Sequence, residues 1–189
     1  METRYWLKVY WSFILFVGIF LSSCNQYDRK VEGDIEQLCR ATISIPVHQM
    51  QRFEGLCDSA SLINTSGEFR MIVYIDSTEC SPCTLKYLYD WEPILDSLIS
   101  YPKYRESIFI FAPSKSECPK VERELNQKNF KYPVYLDTCN AFVKGNRSIP
   151  ANRMMHTFLI DAKDSVVLVG NPLTNEKVKA LLFNFFNNK

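Results

Sequence analysis

The sequence predicts an α/β domain built on a mixed β-sheet. Dense apolar, β-branched runs alternate with segments of helical periodicity, and two runs near the C-terminus are joined by a short polar turn. Strands separated by helices need crossover connections and lie parallel, whereas a short turn makes the last pair antiparallel. The expected order is strand, helix, strand, helix, inserted strand, hairpin and helix.

The first half of the domain is expected to hold a central strand and a divided helix. Alternation in residues 42–45, which stops at Pro46, predicts a short edge strand, and residues 69–75 (FRMIVYI) predict a buried central strand. Asp76, Ser77 and Thr78 can all cap a helix. Helical periodicity then begins near Cys80, and Pro93 should kink or divide the helix. Its apolar stripe consists of Leu88, Trp91, Leu95 and Leu98.

The second half is expected to supply two strands with a helix between them, then a hairpin and a last helix. Residues 107–112 and 133–136 predict strands, and residues 117–129 predict a helix between them. Residues 156–160 and 166–169 predict two strands joined by a turn at 161–164. The last helix should present one apolar face, formed by Val178, Leu181, Leu182, Phe185 and Phe186.

The N-terminus has the pattern of a secretion signal. Arg4 and Lys8 precede an uncharged run of thirteen residues, Val9 to Leu21, which suits a signal-peptide core. A membrane-spanning helix needs roughly 20 apolar residues. The run ends in Leu-Ser-Ser-Cys, which resembles the lipobox of bacterial lipoproteins.

The lipobox resemblance implies that residues 1–23 are removed and that Cys24 becomes the lipid-attached first residue. An uncleaved anchor with a chance cysteine is the alternative. Asn25, rather than the inner-membrane retention residue Asp, favours an outer-membrane destination. Residues 24–64 are then a tether and N-terminal extension, and residues 65–189 the main domain.

Composition narrows the function classes. The chain has 189 residues, a net charge of +1, 47% hydrophobic and 23% charged residues, which is the balance of a globular protein. A near-neutral charge argues against a nucleic-acid partner. Seven cysteines are many for a reducing cytosol. We therefore expect a compact domain in an oxidising compartment outside the cytoplasm.

The candidate chemistry lies in Cys80-Ser81-Pro82-Cys83, where the predicted central strand turns into a helix. Residues i and i+3 at a helix start share one face, so the two sulfurs can form a disulfide. Free N–H groups and the helix dipole at this end stabilise a thiolate. Cys80 is therefore the candidate nucleophile and Cys83 the resolving thiol. Pro82 suits the first helical turn.

The motif, its place after the first central strand and the order of elements resemble the thioredoxin fold, over about residues 65–189. The lipid anchor, the Cys-x-Pro-Cys form and the strand near Pro133 are similar to extracytoplasmic thiol–disulfide oxidoreductases of the TlpA and ResA type. The resemblance implies that Cys80 and Cys83 are a redox pair. It implies protein thiol or disulfide substrates, a membrane electron donor or acceptor, and no organic cofactor.

Two residues depart from the pattern of that family. The slot for a cis-proline before the strand at 156–160 holds Met155, and Pro150 lies five residues too early. A non-proline cis bond costs about 2.5–4 kcal/mol, so we expect a trans peptide and an altered substrate-facing edge at Met155 and His156. Glu79 replaces the usual aromatic, and its carboxylate would oppose formation of the Cys80 thiolate.

Two other functions stay open at this stage. Met154, Met155 and His156 opposite Cys80 and Cys83 resemble the copper site of Sco-type chaperones, since soft sulfur and imidazole ligands suit Cu(I). The Sco spacing, however, has three residues between the cysteines. Packing of Met155 and His156 at the strand start explains them more simply. A redox-silent thioredoxin-like module that only binds partners is the other possibility.

Four further cysteines allow additional bridges. Cys39 and Cys57 flank the predicted N-terminal strand and could form a clip. Cys118 and Cys139 could form a second structural or redox-active pair. Four cysteines can pair in three ways, so the sequence leaves their connectivity open.

Overall fold

The computed structural model describes residues 28–55, 63–78, 85–127 and 129–188. The chain divides into two compact units, Met1–Gln37 and Leu38–Lys189. The described part of the first unit belongs to a helix, α1, which runs over residues 28–39. No helix in the four described ranges is long and apolar enough to cross a membrane. The predicted signal segment and Cys24 lie outside the described residues.

The second unit contains a six-stranded mixed sheet with strand order β1-β4-β3-β2-β5-β6. β2, β3 and β4 are parallel neighbours. β1 pairs antiparallel with β4 at one edge, and β5 and β6 continue antiparallel on the other side of β2. The strands are β1 (Gln51–Phe53), β2 (Phe69–Ile75), β3 (Tyr104–Phe111), β4 (Val134–Leu136), β5 (Thr157–Ile160) and β6 (Val166–Val169).

Helices connect these strands. A 3₁₀ helix, Lys86–Trp91, runs into α2 (Glu92–Leu98) between β2 and β3, and α3 (Cys118–Gln127) joins β3 to β4. α4 (Ala141–Gly145) and a 3₁₀ turn, Arg153–Met155, precede β5, and α5 (Glu176–Asn187) follows β6. Parallel strands with helical crossovers, an antiparallel hairpin and a closing helix make this the thioredoxin fold. β4 is the inserted strand, and the predicted fold class is confirmed.

The core lies largely on one face of the sheet. Every second residue of β2, from Phe69 to Ile75, packs there with apolar residues of α2, α3 and α5. The alternate residues Ile72 and Tyr74 are also buried. β2 is therefore covered on both faces, which explains why its sequence is a continuous apolar run.

The predicted division of the first long helix at Pro93 is confirmed. The 3₁₀ segment ends at Trp91, and Pro93 stands in the first turn of α2, where its missing N–H costs no hydrogen bond. β3 begins at Tyr104, three residues before the predicted start at 107.

The predicted edge strand at residues 42–45 is wrong. Only Thr42 forms an isolated bridge, to Ser165. The amide side chain of Asn146 accepts from the Ser44 N–H at 2.8 Å and donates to the Ser44 carbonyl at 2.7 Å. These bonds replace the ladder that a strand would need, and β1 forms the edge instead.

The predicted apolar face of α5 is correct apart from Leu181. Leu182 is fully buried and Phe186 is buried, whereas Leu181 is 55% exposed. Adjacent residues on a helix point about 100° apart, and here Leu182 rather than Leu181 faces the core.

We expect Leu182→Ala to lower the free energy of unfolding by about 2–5 kcal/mol, because it leaves a cavity in the core. Leu181→Ala is the matched control, one residue away in the same helix. Its expected effect is below about 0.5 kcal/mol. Urea unfolding of both variants measures the difference, and equal losses would contradict the assigned helix face.

Candidate functional site

The proposed redox motif lies outside the described residues, and the structure describes the chain on either side of it. Thr78 stands two residues before Cys80, and Leu85 stands two residues after Cys83. The roles predicted for Glu79, Cys80, Ser81, Pro82 and Cys83 therefore stay predictions.

An Asp76 turn ends β2 on the N-terminal side of the motif. The Asp76 carboxylate accepts hydrogen bonds from the Thr78 N–H at 2.8 Å and from its hydroxyl at 2.6 Å. This is the local pattern by which an aspartate turns the chain away from a strand. It fixes the direction in which the chain leaves β2 toward Cys80.

A cavity of about 770 Å³ lies where β2 ends and β5 begins. Both sides of the motif contribute to it, with Thr78 before the motif and Tyr87 and Leu88 after it. Its size is that of a typical ligand site. The other described lining residues are Val73, Tyr74, Ile75, Asp90, Trp91, Arg153, His156, Thr157, Asn171, Leu173 and Thr174.

The segment before β5 forms a 3₁₀ turn capped by Asn152. The Met154 N–H donates to the Asn152 side chain at 3.1 Å, and the Met155 N–H donates to the Asn152 carbonyl at 3.0 Å. The His156 N–H donates to the Arg153 carbonyl at 3.0 Å. The described residues contain no cis peptide bond, as expected for Met155 in the proline slot.

Met155 does not occupy the substrate-facing position that the sequence suggested. Its side chain is only 3% exposed, whereas Met154 is 69% exposed. The turn points Met155 inward and Met154 outward, so a binding partner would meet Met154.

His156 is buried, with 4% exposure, and lies on the cavity lining. Its Nε2 is 2.9 Å from the Pro150 carbonyl. A carbonyl can only accept, so Nε2 carries a proton and donates it to this bond. Nδ1 has no hydrogen-bond partner in the described structure. The imidazole packs against Tyr74, with ring centroids 5.0 Å apart.

Tyr74 is the titratable group that this environment changes most clearly at the cavity. Burial, together with the nearby carboxylates of Asp76 and Asp137, which disfavour a phenolate, raises the pKa of Tyr74 to about 12. Its ring also packs against Phe142 at 5.2 Å.

The cysteines in the described ranges are free thiols. Cys39 and Cys139 are exposed, and Cys118 is half-buried. The structure therefore contains neither the clip suggested for Cys39 nor a formed bridge between Cys118 and Cys139. Cys57 lies outside the described residues.

Sequence reasoning missed the aromatic part of the cavity. Tyr87 is 53% exposed on its lining, close after the motif, and Tyr74 comes from the central strand. The apolar stripe of the following helix leaves out Tyr87. An aromatic residue on the otherwise polar face was the signal that could have revealed it.

The described residues by themselves contain no group of three or more His, Cys, Asp or Glu side chains able to hold a metal ion. The copper alternative would need Cys80 and Cys83, which lie outside these ranges.

Comparison with known proteins finds similar folds at low identity. A thioredoxin-like protein from Porphyromonas gingivalis is 22% identical, with a TM-score of 0.41, covering 64% of this chain and 74% of that one. A candidate protein disulfide isomerase from Bacteroides thetaiotaomicron is 17% identical, with a TM-score of 0.45 and coverages of 78% and 88%. A candidate thiol:disulfide interchange protein DsbE from Chlorobium tepidum is 15% identical, with a TM-score of 0.40 and coverages of 64% and 81%.

No protein-family profile and no curated protein matches the chain. The fold class follows from the strand order and directions given above.

Stability should fall between pH 10 and pH 12 because of Tyr74. Above pH 10 the unfolded chain releases this phenolic proton, while the folded chain holds it until a pKa of about 12. The free energy of unfolding then decreases by an amount on the order of 1–2 kcal/mol. In Tyr74→Phe, the free energy of unfolding should decrease less steeply with pH in this range. Urea unfolding across this range tests it, with pH 8 as the baseline, and an unchanged slope would contradict the assignment.

Proposed function

We propose that this protein exchanges thiols and disulfides with partner proteins through Cys80 and Cys83. The main support is that residues on both sides of the motif, Thr78 before it and Tyr87 after it, line the same cavity as the start of β5. The motif joins these two flanks along the chain. A redox pair carried there would meet a partner at the cavity.

The exchange needs no cofactor. The Cys80 thiolate attacks one sulfur of a partner disulfide, forming a mixed disulfide and releasing the partner's other sulfur as a thiolate. The Cys83 thiolate then attacks the Cys80 sulfur, closing the Cys80–Cys83 disulfide and releasing the second partner thiol. The partner gains two electrons and the pair loses two. The reverse sequence oxidises a partner dithiol.

Recognition would rely on side chains around the cavity. Exposed Tyr87 and Met154 offer apolar contacts to a partner. Aromatic and methionine side chains are enriched in such interfaces. A redox-silent binding module would use the same surface, so the thiol measurement below separates the two functions.

We also propose that the protein works outside the cytoplasm, anchored through a lipid on Cys24. The support is the thirteen-residue apolar run followed by Leu-Ser-Ser-Cys. A tethered redox domain would face protein substrates in the envelope and exchange electrons with a membrane donor or acceptor. Asn25 favours the outer membrane.

The redox function predicts different behaviour for the two cysteines. Cys83→Ser should accumulate a mixed disulfide at Cys80, because the resolving thiol is missing, whereas Cys80→Ser should accumulate none there. Titration of the wild-type chain against glutathione buffers, followed by peptide mass spectrometry, should show one two-electron transition at Cys80 and Cys83. A midpoint near about −270 mV indicates a reductant and one near about −120 mV an oxidant.

Cys39→Ser is the control, because Cys39 is an exposed free thiol distinct from the motif. It should leave the transition unchanged. If peptide mass spectrometry finds no Cys80–Cys83 bridge at any potential, the redox proposal fails.

Lipid attachment predicts that Cys24→Ala abolishes incorporation of labelled fatty acid and releases the chain from the membrane fraction. Cys39→Ala, which changes another exposed cysteine, should keep both properties. If Cys24→Ala protein still incorporates the labelled fatty acid, the anchor proposal is wrong, and the redox proposal is unaffected.

A further inference from the structure

A second, smaller cavity of about 290 Å³ lies at the edge where the parallel strands end. β2, β3 and β4 run in the same direction, so the segments that follow them meet there. The described lining residues are Ser77, Pro113, Ser114, Lys115, Thr138, Cys139, Asn140 and Lys144. Two are lysines and none is acidic.

Cys139 reaches this cavity from the end of β4. Phe111 pairs with Leu136, and the Asp137 N–H donates to the Phe111 carbonyl at 2.7 Å, which continues the pairing one step beyond the strands. The residues that follow are Pro113 and Ser114 on one side and Thr138 and Cys139 on the other. Cys139 is exposed at this position.

Cys118 approaches the same place from the start of α3. Its N–H and its Sγ both donate to the Ser114 carbonyl, at 3.1 and 3.4 Å. Ser114 therefore contacts Cys118 and shares the cavity lining with Cys139. Ser114 thus relates the two free thiols: it bonds to Cys118 and lines the same cavity as Cys139.

We propose that Cys118 and Cys139 form a second dithiol centre, which low-molecular-weight anionic disulfides such as glutathione disulfide oxidise to an intramolecular bridge. This inference does not depend on the chemistry of Cys80 and Cys83. Ser77, from the segment that follows β2, lines the same cavity.

The two thiols have distinct roles in this reaction. The exposed Cys139 thiolate attacks one sulfur of the incoming disulfide, forms a mixed disulfide and releases one thiol. The Cys118 thiolate then attacks the Cys139 sulfur, forms the bridge and releases the second thiol. The protein loses two electrons and the small disulfide gains two.

The surroundings fit this division. Burial raises the pKa of the Cys118 thiol, and the carboxylates of Glu122 and Glu117 raise it further, which suits a thiol that reacts second. Lys115 and Lys144 line the cavity around Cys139, and the Lys144 ammonium donates to the Cys139 carbonyl at 2.6 Å. Their charge attracts an anionic disulfide.

Bridge formation requires the turn at residues 138–140 to move toward α3, because a disulfide needs Cα atoms within about 7 Å. Within this turn the Asn140 N–H donates to the Asp137 carbonyl at 3.4 Å. The movement must also carry along or break the bond from the Lys144 ammonium to the Cys139 carbonyl. Asn140 has a φ of 53°, a left-handed conformation. Asp137 stays fixed, since its carboxylate accepts from the Ala141 and Phe142 N–H groups at 2.8 Å.

The test equilibrates the full chain carrying Cys80→Ser and Cys83→Ser, in detergent, with glutathione buffers. Remaining thiols are alkylated and the peptides are mapped by mass spectrometry. We expect a linked peptide containing Cys118 and Cys139, and the same peptide from the wild-type chain. An adduct of glutathione on Cys139 with Cys118 alkylated, or a bridge from Cys139 to Cys39, would overturn the proposal.

Removing the resolving thiol gives the matched variant. Cys118→Ser should increase the glutathione adduct on Cys139 at least about tenfold, because nothing displaces it. Cys39→Ser should leave the adduct level unchanged. If Cys118→Ser has no effect on the adduct while its circular dichroism matches the parent chain, Cys118 does not resolve Cys139 and the proposal is wrong.

Discussion

The pairing of β2 on both of its edges is the constraint on which the site depends. β2 pairs parallel with β3 as far as Ile75 and antiparallel with β5 as far as Val73. Two further bonds extend these ladders, from the Ala112 N–H to the Ile75 carbonyl at 2.8 Å and from the Tyr74 N–H to the His156 carbonyl at 2.9 Å. The chain leaving β2 and the chain entering β5 are thereby held side by side. The large cavity is a consequence, since neither segment can move away without breaking the central ladder.

Aspartates at the ends of two strands turn the chain beside the two cavities. Asp76 turns the chain after β2 through bonds to Thr78, and Asp137 does the same after β4 by capping α4. The cavities lie beside these two turns: Thr78 lines the larger one, and Thr138, Cys139 and Asn140 line the smaller one. Both carboxylates also face Tyr74 and raise its pKa. The same two carboxylates therefore direct the chain after β2 and β4 and raise the pKa of Tyr74.

The central elements could be predicted from sequence because local and tertiary preferences agree there. The β-branched run of β2 is buried on both faces, and the stripe through Leu95 and Leu98 packs in the core. The edge strand at 42–45 failed for a nonlocal reason: Asn146, 102 residues away, occupies the Ser44 backbone groups. The orientations predicted for Met155 and Leu181 were wrong for a geometric reason. In a helical turn, the side chain of the next residue points about 100° away, so one position decides whether a side chain is buried or exposed. The cavity could not be predicted at all, because it joins residues from four separated segments.

Under the proposed function, the 3₁₀ turn before β5 limits how a partner could bind. In strand addition, main-chain N–H and C=O groups supply affinity and side chains supply selectivity. Here the N–H groups of Met154, Met155 and His156 are all used within the turn and its Asn152 cap. A partner cannot pair with these donors unless the turn opens and leaves the cap unsatisfied. A partner of the proposed kind would therefore find no free N–H donor at residues 154–156 and would meet the outward-facing side chain of Met154 there.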